Sequence, residues 1–270
     1  MNLVYIDPEE LKEVFTVIGL SNKDGIQYWQ RMNKHRQVFD FLIHIEKAIN
    51  RLSTKRTLTI VDCACGRSYL SFITNFYLLN VLNRRVEFVC IDYNSHVIEQ
   101  SKNAAESLGF DNMDFICDDI FNVKLNKKAD MVYSLHACNS ATDMAIAKGI
   151  SEQAKYIMTV SCCQHFVRSH LKKHPLASIT KYGAYKERIT DMVADTMRSL
   201  ILEEAGYQID LFEYVPASET PKNIMIRAVK GSQNEKRSRQ ARNEYNELKG
   251  IFNVEPRLLE YLDHIEKNTD

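Results

Sequence analysis

The stretch Val61-Asp62-Cys63-Ala64-Cys65-Gly66-Arg67-Ser68-Tyr69-Leu70 decides the fold. An apolar run, 58–62, ends on an acid, small residues then alternate at Ala64, Gly66 and Ser68, and a helical pattern follows over 69–82. This reads as a strand, a tight turn and a helix. Small side chains let backbone approach a ligand closely, and the first turn of the helix offers free N–H groups.

Working outward, the same alternation continues. Short apolar runs at 86–92, 113–116, 131–135 and 156–160 are separated by helical patterns at 95–108 and 141–153, with another helix at 185–205 after the last run. Continuous apolar strands separated by helices predict a parallel sheet covered on both faces. Two further strand-like runs, 208–215 and 224–229, have no helix between them, and the turn-rich Pro-Ala-Ser-Glu-Thr-Pro-Lys-Asn joining them predicts a hairpin. The expectation is an α/β, Rossmann-like fold with a mostly parallel seven-stranded sheet, an antiparallel C-terminal hairpin and helices on both faces. Extra N-terminal helices are predicted over 8–18 and 26–50, the second with Val38, Phe39, Phe41, Leu42, Ile45 and Ile49 at helical spacing. The domain reading is an N-terminal helical segment (1–52), a core domain (53–231), and a charged linker with a C-terminal helix (232–270), the latter marked by Leu258, Leu259 and Leu262.

Composition narrows the classes. With 270 residues, 45% of them hydrophobic, the chain can bury one substantial core. Its 35 basic residues balance 35 acidic ones, so no global field draws it to nucleic acid or membrane, and any such attraction has to be local. The opening Met1–Val14 has neither a basic nor an apolar leader region, and the seven cysteines are odd in number. These features predict reduced thiols in a cytoplasm.

In an open α/β sheet the ligand sits at the carboxyl ends of the strands. There the second strand ends at Asp92, about 30 residues after Asp62, followed by Tyr93, and a carboxylate at that place can accept both ribose hydroxyls of an adenosine. The third run is followed by Asp118 and Asp119, where a carboxylate can accept from an adenine amine. A dinucleotide dehydrogenase would instead carry G-x-G-x-x-G with its acid nearer 20 positions on. The expected nucleoside-binding set is Asp62, Ala64, Gly66, Asp92, Tyr93, Asp118, Asp119 and, in the fourth run, Ser134.

The turn resembles the D-x-G-x-G-x-G motif of class I S-adenosylmethionine-dependent methyltransferases, with Ala64 and Ser68 in place of two glycines. Three further stretches carry a closer resemblance: Lys34-His35-Arg36-Gln37, Ser134–Asp143 (Ser-Leu-His-Ala-Cys-Asn-Ser-Ala-Thr-Asp) and Ser161-Cys162-Cys163-Gln164-His165. Together they look like the group that includes the methyltransferase-like 25 and glutathione S-transferase C-terminal domain-containing proteins. They are similar, more distantly, to the tRNA acceptor-stem ribose methyltransferases, which carry K-H-x-x-Q, H-L-C-G-x-A-T-D and C-C-H-H at matching places. Asn139 stands where the latter have glycine. The resemblance spans roughly residues 30–230 and implies S-adenosylmethionine as the donor.

Lys34, His136, Cys138, Cys162 and His165 are the candidate catalytic residues. The cysteines can be small buried hydrophobes with His136 as a pocket wall, or His136, His165 or Lys34 can be a general base for a ribose hydroxyl. A nucleophilic cysteine is a third reading. Zinc would favour C-x-x-C spacing, so no metal is expected. The absence of an Asn/Asp-Pro-Pro-Tyr motif after the fourth strand argues against an exocyclic base amine as acceptor. Between Gln164 and Arg188 six Lys and Arg residues face one acid, with Phe166, Tyr182 and Tyr185 among them. Arg168, Lys172, Lys173 and Lys181 are the candidate phosphate contacts, which makes RNA (tRNA or rRNA) the leading acceptor. A protein or small-molecule acceptor, or a donor-binding protein without turnover, are the alternatives. A second basic run, Arg227–Arg242, reads as a flexible linker.

Overall fold

A computed structural model describes residues 10–21, 29–138 and 140–267, the side chains of residues 29–35, 138 and 266 excepted. Its seven strands lie in the order β3-β2-β1-β4-β5-β7-β6. They are β1 (Leu58–Cys63), β2 (Val86–Asp92), β3 (Met113–Cys117), β4 (Met131–Cys138), β5 (Tyr156–Cys163), β6 (Tyr207–Glu213) and β7 (Ile224–Lys230). The pairs β1–β2, β2–β3 and β4–β5 are parallel, whereas β5–β7 is antiparallel. This is the expected Rossmann-like layout.

The chain forms two compact units. The first comprises 1–130 and 213–223. It holds α1 (Lys12–Val17), α2 (Trp29–Ile49), β1, α3 (Tyr69–Phe76), a π-helical turn (Tyr77–Val81), β2, α4 (Ser95–Leu108) and β3. All six residues of β1 are buried, which is why it reads as an unbroken apolar run. The 14-residue α4 starts where Asn94 accepts from the His96 and Val97 amides, and stops at Gly109 in the left-handed region. A buried arginine closes α2: Arg84 donates to the carbonyls of Ile49, Leu52 and Ser53, placing a cation at a helix C-terminus. Arg56 forks onto Asp130, whose carboxylate also accepts the Thr59 amide. The segment 213–223 belongs here because Tyr214 packs edge-on against Phe41 and Glu219 pairs with Arg36.

The second unit, 131–212 and 224–270, holds β4, α5 (Ser140–Ser151), β5, α6 (His165–His170), α7 (Ala177–Thr180), α8 (Gly183–Glu204), β6, β7, α9 (Glu235–Phe252) and α10 (Leu258–Lys267). Three features depart from expectation. First, β4 and β5 each run three residues beyond their apolar stretches, to Cys138 and Cys163. Second, the short helices α6 and α7 occupy the basic segment after β5.

The third departure is a correction. The expected charged linker is helix α9, capped by Asn234, whose side chain accepts from the Lys236 and Arg237 amides. Its buried face is sparse, Ala241, Tyr245 and Phe252, so sequence periodicity is weak, yet these three lie along one side. Its arginines are engaged on α8 and within the helix: Arg237 with Glu203, Arg242 with Glu204, Arg239 with Glu235. Arg227 on β7 pairs with Asp210. The second basic run is thus a docked helix and its ion pairs.

If Tyr245 anchors α9, Tyr245→Ala should destabilise the protein by about 3 kcal/mol, a buried aromatic truncation. Exposed pairs contribute little, so Arg237→Ala should cost under about 1 kcal/mol. Urea unfolding of both variants checks this, and equally small shifts would restore the linker reading.

Candidate active site

The turn after β1 explains its own composition. Ala64, Gly66 and Ser68 have φ of 58°, 53° and 54°, all left-handed. The alternating small residues are therefore the alternating positive-φ positions, where an L side chain is strained and glycine is not. Ala64 and Ser68 occupy this conformation with the shortest side chains available. At Gly66 an added Cβ would meet nothing within 4 Å, so the backbone there borders open space.

Two carboxylates hold the turn. Asp92, at the end of β2, accepts the Gly66 amide through Oδ2 at 2.8 Å and the Asn94 amide through Oδ1 at 2.9 Å. One side chain thus fixes both the β1 turn and the start of α4, with a lone pair left on each oxygen. Asp62 is buried, its Oδ2 accepting the Ser71 hydroxyl at 2.5 Å. Burial pushes its carboxyl up to about 7; the Ser71 bond opposes this and the like charge of Asp92 adds to it. A cationic group brought beside Asp62 would relieve that strain.

The remaining residues of this set lie around the same strand ends. Tyr93 is 84% exposed directly after Asp92, and its carbonyl receives the Cys117 thiol at 3.6 Å. Asp118 and Asp119 are exposed; Asp118 Oδ1 accepts from the Asn122 side chain and the Asp119 amide, and Asp119 accepts the Phe121 amide. Cys63 and Cys90 are buried, and a hydrogen bond with Cys90, together with burial, pushes the Cys65 thiol well above its usual range. Cys65 is therefore a packing thiol and not a thiolate.

In the second unit, His136 and Cys162 are linked through a paired irregularity. In the β4–β5 ladder Leu135 faces Val160, Ala137 faces Ser161 and Cys138 faces Cys163, so the register shifts at His136 and again at Cys162. His136 takes φ 61°, and the Cys162 thiol donates to its carbonyl at 3.3 Å. Successive bulges re-aim side chains at a strand end. Cys162 lies beside Cys163, Sγ to Sγ 3.8 Å. His165 is exposed in the first turn of α6. The side chains of Lys34 and Cys138 lie outside the described residues. Ser134, expected at the nucleoside site, is wholly buried within β4, an interior position and not an open one. Among the described residues no group of three or more His, Cys, Asp and Glu could hold a metal ion.

A polar cluster that the sequence did not reveal lies nearby. Arg198 of α8, wholly buried, donates from Nε to Asp143 at 2.6 Å and from Nη1 to Gln164 at 2.8 Å and Asp195 at 3.2 Å. Gln164 in turn donates to Ser161 and Asp195, and Asp143 accepts the Arg257 amide. This ties the motif after β4 to the motif after β5. Asp143 and Gln164 stood in the quoted motifs, whereas nothing local marked Arg198 or Asp195 as their partners.

A profile for a methyltransferase domain matches residues 33–170, half of the chain. The chain belongs to that methyltransferase-domain family. The methyltransferase is 29% identical over 239 residues to the human glutathione S-transferase C-terminal domain-containing protein, covering 77% of this chain and 35% of that protein. The mouse counterpart is 25% identical over the same length. The chain thus spans about a third of the length of the curated relatives it matches. Among solved structures, a Listeria monocytogenes protein described as a class I S-adenosylmethionine-dependent methyltransferase aligns with a TM-score of 0.53 at 14% identity, over 92% of this chain and 81% of that one. That likeness establishes the fold. No helix among the described residues is long and apolar enough to cross a membrane.

Asp62 gives a pH test of this geometry. Its folded-state value of about 7 lies above the unfolded 3.8, so the native state binds the extra proton. Stability from this group is full below the unfolded value and falls as pH rises from about 4 to about 7, by on the order of a few kcal/mol. Asp62→Asn should therefore lose less melting temperature than wild type between pH 5 and pH 8. Parallel pH profiles would show that Asp62 is not a strained carboxyl.

Proposed function

We propose that the methyltransferase transfers a methyl group from S-adenosylmethionine to RNA. The donor side of this reading rests on the left-handed turn tethered by Asp92. When bound, the donor supplies an electrophilic methyl on a sulfonium. Among this chain's residues, Ala64 and Gly66 offer close backbone approach, and Asp92 keeps acceptor capacity for ribose hydroxyls. Tyr93 offers an exposed ring and Asp118 or Asp119 an exposed carboxylate for an adenine. Asp62 offers a buried carboxyl that an ammonium brought beside it would ionise and pair with. His136, held on its bulge by Cys162, is the general base of this reading, taking a proton from the acceptor hydroxyl at a ring nitrogen. The Cys162 thiol, bonded to a carbonyl, serves as packing.

The observation that carries the RNA acceptor is the segment after β5. Lys172, Lys173 and Lys181 are exposed, and so are Tyr182 and Tyr185, with the Lys181 ammonium 5.0 Å from the Tyr182 ring centre. Exposed cations interleaved with exposed aromatic rings suit phosphate contact and base stacking. Arg168 is less available than the sequence suggested, because it pairs with Glu187 at 2.9 Å. The rings also distinguish this segment from a merely solvated face, where large apolar groups gain nothing by exposure.

Replacing Lys172, Lys173 and Lys181 with Ala should weaken binding to structured RNA and reduce the salt slope by up to about three counterions. Arg168→Ala should change it less. With labelled donor and a total extract, the label should enter RNA and be lost in His136→Ala by about a hundredfold. Label appearing in protein or small molecules, with RNA binding weak and unmoved by the Lys changes, would give the acceptor to another class.

A further inference from the structure

At the carboxyl ends of β4 and β5 lies a cavity of about 410 Å³, lined by Ser140, Gln164, His165, Phe166, Ser169 and Arg198, with Asp143 and Arg257 beside them. Its size falls within the range of small-molecule sites. Its floor is the buried cluster around Arg198. Three donor contacts of that guanidinium are used, by Nε and Nη1, while Nη2 takes no acceptor among the described residues. Nη2 is not a sealed polar atom: it opens to the cavity of which Arg198 forms part, as a donor available to a ligand oxygen or ring nitrogen.

Charge selects the ligand. Arg198 is matched by Asp143 and Asp195, and Arg257 by Glu260 at 2.8 Å. No surplus cation remains for a phosphate or carboxylate. What remains are Arg198 Nη2 and the imidazole of His165, next to flat groups; the Ser169 hydroxyl already donates to the Phe166 carbonyl at 2.8 Å and offers only its lone pairs. Phe166, 36% exposed, forms one wall, with the Arg257 guanidinium 5.9 Å from its ring centre. A planar, neutral, acceptor-bearing ring fits this combination. The basic and aromatic segment that begins at Arg168 continues from the cavity wall, so a strand held there would present its bases beside it.

We propose that this cavity takes one nucleobase of the RNA acceptor, with Arg198 Nη2 donating to a base oxygen or ring nitrogen and Phe166 forming an aromatic wall. This rests on the RNA reading above. It makes the Asp143–Arg198–Gln164 cluster a recognition floor as well as a structural brace, and Arg198 a specificity residue.

The test uses the full chain saturated with S-adenosylhomocysteine, so that adenosine-like probes cannot enter the donor site. Uridine, cytidine, guanosine and adenosine are titrated by calorimetry up to about 10 mM, a range that reaches weak single-nucleoside affinities. At least one should bind, and inorganic phosphate should not displace it. Ser169→Trp, which fills the cavity from an exposed position, and Phe166→Ala should each weaken it by about tenfold. Both positions reach the surface, and melting curves confirm that the variants fold. No nucleoside binding, equal binding by wild type and both variants, or displacement by phosphate alone overturns the proposal.

Methyl transfer separates this from the parent reading. If wild type labels RNA and both variants keep its KM and kcat, the cavity proposal fails and the RNA acceptor stands. If nucleosides bind but RNA is never labelled, the RNA acceptor fails and the cavity remains a base site.

Discussion

Asp92 joins two loops with one carboxylate, through the Gly66 amide on one oxygen and the Asn94 amide on the other. The turn between them needs such a tether. Ala64, Gly66 and Ser68 sit in left-handed conformations, and two of the three are not glycine. Isolated left-handed alanine costs roughly 1–2 kcal/mol, so the turn persists only where surrounding contacts over-determine it. Asp92 from β2 and the Asp62–Ser71 bond from β1 and α3 supply those contacts. The geometry of the candidate site in the first unit follows from them.

The second unit solves a related problem with different means. Its strand ends are broken by two bulges, and the strained His136 is held by a thiol instead of a carboxylate. Nearby, one buried arginine is held through Nε and Nη1 by aspartates of α5 and α8 and by the glutamine that follows β5. Removing Arg198 would leave two buried carboxylates without their cation, which is far more destabilising than the intact cluster is stabilising. Such a cluster fixes geometry more than it adds stability.

The strands were legible because a parallel strand covered on both faces becomes a run of apolar residues, as at Leu58–Cys63. Their ends were less so. Ser, His and Cys at 134–138 and 161–163 do not look like strand, and a bulge breaks the alternation that would reveal them. Helix α9 was misread as a linker because Ala241, Tyr245 and Phe252 mark its buried face too thinly among charges. In the candidate site, the placement of Asp62, Gly66 and Asp92 at the ends of neighbouring strands was legible from spacing, and the small residues from the turn. The reason Ala64 and Ser68 suffice appears only in their dihedrals. Ser134 reads as a strand-end residue but is interior, since β4 continues to Cys138. Arg198 could not be inferred: a lone arginine within an amphipathic helix resembles a surface residue until Asp143, 55 positions away, is seen against it.

The central claim is that the tethered turn is a donor site, and calorimetric titration with S-adenosylhomocysteine tests it most directly. Micromolar affinity, about −8 kcal/mol, is expected for wild type, with severe weakening in Asp92→Ala, which removes the tether and the carboxylate proposed to accept the ribose hydroxyls. An absence of binding by the folded wild-type protein would contradict the account.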